Sequence, residues 1–303
     1  MSFKDELTLK LTTRTIKPYK ASSVAPVWSQ LRNLAGGIPE NLDFLLDKEK
    51  VERRLDTYAV STRRTMLFTL RNVADAFSRK DILDLYAGNI KAVEEGEGKL
   101  KEGEYAPSQK GHGKSWVKIQ ETLEPLIKDY DGDIKGLVGS LYVLFPPRRN
   151  LDYSEMKIAV GLDLEKASKE YNYVVVQDDG MVFVFNRYKT DGVYHQQVFT
   201  VPDDLQAVLR KYITKTDKGD GDWLLTMNRR VGEGKMNTKF RVEDITANLH
   251  AIFGEKIGTQ MLRHAFIEKY NDPKYANVIS EMFGDADMMS HSVITQQKVY
   301  KKD

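Results

Sequence analysis

Residues 94–115 constrain the fold more than any other feature of the sequence. Over this stretch charge and glycine dominate and large apolar side chains nearly vanish. Such a segment cannot bury a core of its own, so it reads as a domain linker or a surface loop. On either side the apolar residues return with periodic spacing. At 303 residues the chain is too long for one ordinary core and suits two domains. The expected boundaries are an N-terminal arm over 1–25, a helical domain over 26–105 and a second domain over 112–303.

Before the linker the pattern is helical. A helix pair is expected over 48–77, divided near Tyr58. Ser61 is the expected N-cap of the second helix, and Met66, Leu67, Leu70, Val73 and Phe77 recur as one apolar face. Asp81 opens another short helix. Residues 1–25 read as extended and polar.

After the linker, a helix is expected over 116–129, with Pro125 as a kink or early stop. An apolar run over 137–145 ends at Pro146-Pro147, which cannot continue a helix with normal bonding. Strand-like runs at 173–176 and 181–185 flank Asp178-Asp179-Gly180, a good hairpin turn. A third run follows at 196–201. These predict a small antiparallel sheet. Beyond Pro202 the pattern returns to helices over 204–213, 242–253, 259–270 and 278–283.

Composition excludes several chemistries. With no cysteine, disulfides, thiolate metal sites and cysteine nucleophiles are ruled out. No apolar run approaches the roughly 18 residues of a membrane span, so no membrane partner is expected. The first residues lack the apolar core of a signal peptide, which predicts an intracellular protein. His112, His195 and His250 lack metal-ligand spacing. Asp178-Asp179-Gly180 and the acidic stretch 217–222 lack the ligand pattern of a calcium loop and read as turns. Gly36-Gly37 and Gly232-Glu233-Gly234 are not followed by Lys-Ser/Thr, so neither is a phosphate loop. The net charge is only +2. Basic groups matter where they cluster, because phosphate is neutralised locally. The clusters are Arg148-Arg149, Arg229-Arg230 and Lys298/Lys301/Lys302.

Four segments stand in a telling order. Arg148-Arg149-Asn150-Leu151-Asp152 follows the apolar run and the two prolines. Lys189 lies between two strands. Gln260-Met261-Leu262-Arg263-His264 sits on a predicted helix. Ser290-His291-Ser292 is followed by Tyr300. Together these resemble the tyrosine recombinase (phage integrase-like) superfamily, with wording closest to divergent viral and mobile-element members. Arg149 with Asp152 resembles the family's first arginine element. Lys189 resembles its hairpin lysine, Arg263-His264 its second arginine segment, and His291 through Tyr300 its last segment. Any one of these is weak; four in order at sensible spacing is a strong signal. Where the family has a histidine three residues before the second arginine, this chain has Gln260. Glutamine donates a hydrogen bond but carries no proton at neutral pH.

The resemblance implies a mainly α fold with a small antiparallel β-sheet, arranged as a two-domain DNA clamp with a tyrosine recombinase-like catalytic domain. It implies double-stranded DNA as partner, a homo-tetramer on synapsed DNA, and site residues Arg149, Lys189, Gln260, Arg263, His291 and Tyr300. The physical logic agrees. Two arginines clamp a phosphate with forked donors. A lysine protonates the leaving 5′ oxygen. A phenol attacks phosphorus, and a 3′-phosphotyrosine keeps the bond energy, so no metal, ATP or other cofactor is needed. The alternatives are a type IB topoisomerase, or a catalytically silent DNA-binding protein with the same fold.

Overall fold

The computed structural model describes residues 1–15, 18–96, 111–163, 167–231, 234–271 and 288–289. The chain divides into two compact units, Met1–Lys101 and Glu102–Asp303. No helix among the described residues is long and apolar enough to cross a membrane.

The first unit is helical: α1 (Phe3–Thr12), α2 (Val24–Ala35), α3 (Lys48–Leu55), α4 (Val60–Ala76), α5 (Lys80–Leu85) and α6 (Ala87–Glu94). The expected extended arm is corrected here, because α1 is a packed helix. Ser2 and Asp5 form a reciprocal capping box, and Leu7 and Leu11, one turn apart, are both fully buried. On α4, Met66, Leu67, Leu70 and Val73 enter the same core. Its N-cap is Ala59, not Ser61. The chain is still extended at Ala59, and Ser61 already lies inside the first turn, with its carbonyl accepting from the Thr65 hydroxyl at 3.0 Å.

The second unit packs around α8 (Ile134–Val143), in which every residue from Gly136 to Val143 is buried. Helix α7 (Trp116–Lys128) crosses it closely: a Cβ on Gly139 would meet a Leu123 methyl at 2.7 Å. Pro125 does not stop α7. The helix runs on to Lys128, held by buried Leu123 before the proline and partly buried Leu126 and Ile127 after it.

A short helix, α9 (Asn150–Ser154), leads into β1 (Met156–Val160). Then come β2 (Asn172–Gln177), β3 (Gly180–Phe185), α10 (Asp191–Tyr194) and β4 (Gln197–Thr200). The sheet order is β1-β2-β3-β4. It is mixed rather than antiparallel: β1 runs parallel to β2, and β2/β3 and β3/β4 are antiparallel. Asp178 and Asp179 make the β2–β3 turn, with Gln177 opposite Gly180. The free edge of β1 is covered by the segment after α11 (Asp203–Lys215). There Ile158 donates to the Asp222 carbonyl and accepts from Gly221, both at 2.8 Å. A separate ribbon, β5 (Thr226–Val231) with β6 (Gly234–Lys239), was not foreseen from the sequence. Helices α12 (Val242–Phe253) and α13 (Thr259–Glu268) complete the unit. The expected helix over 278–283, most of the linker, and the lysines at 298, 301 and 302 lie outside the described residues.

Candidate active site

Pro146 and Pro147 end the α8 segment, and the chain turns directly into Arg148, Arg149 and α9. The two arginines have different surroundings. Arg148 is fully buried. Its Nε donates to Asp152 Oδ2 at 2.8 Å, and both terminal nitrogens donate to Gln197 Oε1 at 3.2 Å. It also donates to the Met288 carbonyl. The guanidinium lies 3.8 Å from the Phe185 ring centroid and 5.2 Å from that of Tyr188. Arg149, the N-cap of α9, is half-buried. Its Nη1 is buried and finds no hydrogen-bond partner among the described residues; the same holds for Asp152 Oδ1.

On α13, Arg263 is buried, with Nη1 donating to the Pro147 carbonyl at 2.6 Å and Nη2 to the Met289 carbonyl at 3.3 Å. Burial pushes the Asp152 carboxyl above its ordinary value, while the guanidiniums of Arg148, Arg149 and Arg263 pull it down. Arg148 is the cation bonded to this carboxylate, and Arg149 and Arg263 act on it through space.

Two buried asparagines fix this geometry. Asn150 Oδ1 accepts from the Tyr142 hydroxyl at 2.7 Å and from the Thr259 hydroxyl, while its amide donates to Thr246 Oγ1 at 2.8 Å and the Val242 carbonyl at 3.2 Å. It thus ties α8, α9, α12 and α13. The Asn172 amide donates to the Asp152 carbonyl at 2.8 Å and the Arg187 carbonyl at 2.9 Å, and its Oδ1 accepts from the backbone of Asn186 and Arg187. That joins α9 to the exit of β3. Neither asparagine gave a sequence signal, since a long-range polar clamp has no local periodicity. Arg148 did give one. An acid stands four residues after it, and across the extended N-cap of α9 the Arg148 Nε reaches Asp152 Oδ2.

Lys189 is exposed in the β3–β4 connection, one residue after buried Tyr188. The Tyr188 hydroxyl donates to the His195 carbonyl at 2.6 Å, closing this loop across α10. Gln260 is exposed although it lies one turn before Arg263, and its Nε2 is 3.4 Å from Nε2 of buried His264. His291 and Tyr300 lie outside the described residues. Met288 and Met289, whose carbonyls bind the two buried arginines, immediately precede the Ser290-His291 segment. Among the described residues no group of His, Asp and Glu side chains converges as a metal site.

No family model matches the chain, and no curated protein matches it in sequence. Among solved structures, that of XerA recombinase aligns over 99% of this chain and 94% of its own, at 12% identity and a TM-score of 0.39, a likeness too slight to argue from.

Proposed function

We propose that this chain breaks and rejoins duplex DNA through a covalent 3′-phosphotyrosyl intermediate, as a site-specific recombinase or integrase. The Tyr300 phenol loses its proton to solvent as its oxygen attacks phosphorus, the bond from phosphorus to the 5′ oxygen breaks, and Lys189 gives that oxygen its proton. Arg149 and Arg263 hold the non-bridging oxygens, with Gln260 and His291 as further donors.

The observation that carries this reading is the meeting of the Pro147–Asp152 turn with Arg263, joined by a hydrogen bond spanning 116 residues of sequence. Around it, Arg149 presents a buried donor that no described protein group satisfies. Buried donors are normally paired, and an anion would complete this one. The motif order of the sequence supports the remaining assignments. The test is a suicide substrate whose nicked end diffuses away after cleavage. The parent chain should form a covalent adduct, and Tyr300→Phe should form none while keeping its DNA affinity. An adduct formed by Tyr300→Phe would falsify the assignment of the nucleophile.

A further inference from the structure

Asn172 opens β2 and is completely buried. Asparagine is depleted in strands and mostly exposed in folded proteins, so an enclosed one at the head of a strand directs attention to its bonds. Its Nδ2 donates twice, to the Asp152 carbonyl at 2.8 Å and to the Arg187 carbonyl at 2.9 Å. Its Oδ1 accepts twice, from the Asn186 N–H at 2.8 Å and from the Arg187 N–H at 2.7 Å. A carbonyl only accepts and a main-chain N–H only donates, so these partners fix which way the amide faces. Two donors and two lone pairs are also the full capacity of an asparagine side chain. Aspartate has nearly the same shape but would offer no donor to either carbonyl.

These four bonds join two segments that the proposed chemistry needs in register. On one side is α9. The Asp152 N–H donates to the Arg149 carbonyl at 2.9 Å, so the residue that Asn172 holds is itself bonded to the main chain of Arg149. On the other side is the start of the β3–β4 connection, two residues before Lys189. The two sides do not depend equally on Asn172. Helix α9 has further ties, through Asn150 to α8 and α12 and through Asp152 to Arg148. The connection closes on residues beside its own strands. Asn186 Nδ2 donates to the Tyr171 carbonyl at 2.9 Å, Asn186 Oδ1 accepts from Gln196 at 2.7 Å, and the Tyr188 hydroxyl bonds the His195 carbonyl. Asn172 bonds that closed unit to α9.

We propose that Asn172 is a positioning residue for the proton transfer: its amide sets the place of Lys189 relative to the Arg149 turn. The inference rests on the reading above, in which Lys189 is the acid and Arg149 holds the phosphate. A general acid must lie within hydrogen-bond reach of the leaving oxygen while the phosphate is held. Lys189 is exposed and its stem is flexible, so its reach is set by where its main chain is fixed. Without Asn172 the connection shifts against α9. Lys189 then loses the leaving oxygen, while α9 keeps its other ties and the clamp on the non-bridging oxygens stays.

The test is single-turnover cleavage by the full chain on two matched suicide substrates, one with an ordinary scissile diester and one with a 5′-bridging phosphorothiolate. Both need the clamp, and only the ordinary diester needs the acid. Asn172→Ala should slow the ordinary diester by about 10- to 100-fold, the scale of a misplacement near one ångström, and the phosphorothiolate by only a few-fold. In a chain that already carries Lys189→Ala, adding Asn172→Ala should cost the ordinary diester little more, because both changes remove the same contribution. Asn172→Ser keeps one hydroxyl to donate and accept. It should fall between the parent and Asn172→Ala, and it supplies the same comparison where the alanine chain does not fold, as judged by circular dichroism. Equal slowing of both substrates by a folded Asn172 variant overturns the inference, as do losses that multiply with that of Lys189→Ala: the amide would then support the fold without setting the acid. Lys189→Ala slowing both substrates alike would instead remove the acid assignment, and a parent chain that forms no adduct would remove the DNA reading as a whole.

Discussion

Alanine at position 148 and alanine at position 149 should have opposite consequences. Arg148 is fully buried, bonded to Asp152, Gln197 and the Met288 carbonyl, and stacked on Phe185. Its removal strands the Asp152 carboxylate in the interior. Breaking a buried pair from one side costs about 3–5 kcal/mol. In a unit of this size each kcal/mol moves the unfolding midpoint by about 2–4 °C, so Arg148→Ala should lower it by roughly 6–20 °C. Arg149 is half-buried and its Nη1 has no partner among the described residues. Truncating it removes no described bond of that nitrogen, so stability should change by less than about 1 kcal/mol. Its cleavage rate should nevertheless fall by about 100- to 1,000-fold, the scale of one missing transition-state donor. The assays are thermal unfolding of the full chain by circular dichroism and single-turnover cleavage at saturating protein. Arg148→Met combined with Asp152→Asn, which removes both charges, should recover part of the fall in midpoint. A parental midpoint for Arg148→Ala, or a loss as large for Arg149→Ala, would refute this division between the two arginines.

Two further outcomes follow from the exposed members of the set. Lys189→Ala should slow cleavage of an ordinary phosphodiester far more than that of a 5′-bridging phosphorothiolate, whose thiolate leaves without a proton; equal losses on both substrates would remove Lys189 as the acid. Gln260→Ala should slow cleavage by a few-fold to about a hundredfold, and Gln260→His should be tolerated because imidazole also donates; parental rates for Gln260→Ala across pH would show that the phosphate is held without this position.

What could be read in the sequence was local. The apolar face of α4 follows from the spacing of Met66, Leu67, Leu70 and Val73, and the β2–β3 turn from Asp178-Asp179-Gly180. What escaped was mostly non-local. Parallel pairing of β1 with β2 depends on a connection through 161–171 that has no hairpin signal. The β5–β6 ribbon is rich in Asn, Thr, Lys and Arg, so its strands lack the apolar alternation that marks a half-buried sheet. Helix α1 was missed for another reason: in a mostly polar segment only Leu7 and Leu11 are buried, and that pair is short evidence for a face. The arginine choice was divided between two spacings. Arg149 stands three residues before Asp152, the interval on which the recombinase resemblance rests, whereas Asp152 bonds Arg148 at an interval of four.

That division has a structural logic. Three of the proposed site positions adjoin a residue whose place is fixed by burial or main-chain bonding. Arg149 follows Arg148, which spans α9, β3 and β4 through Asp152, Phe185 and Gln197. Lys189 follows Tyr188, held by packing beside Arg148 and by its bond to the His195 carbonyl. Arg263 lies between buried Leu262 and His264 and is itself held by the Pro147 and Met289 carbonyls. Gln260 is the exception: it is exposed, next to the α13 N-terminus that Asn150 ties down through Thr259. A reacting group works only when its supporting shell fixes it to within a fraction of an ångström. At the half-buried Arg149 and the exposed Lys189 that rigidity comes from the adjacent residue, whereas buried Arg263 is held directly by main-chain carbonyls. Paired arginines at 148–149 divide the work between two consecutive positions: the first pairs with Asp152 inside the core, and the second keeps a buried donor for the anion proposed here.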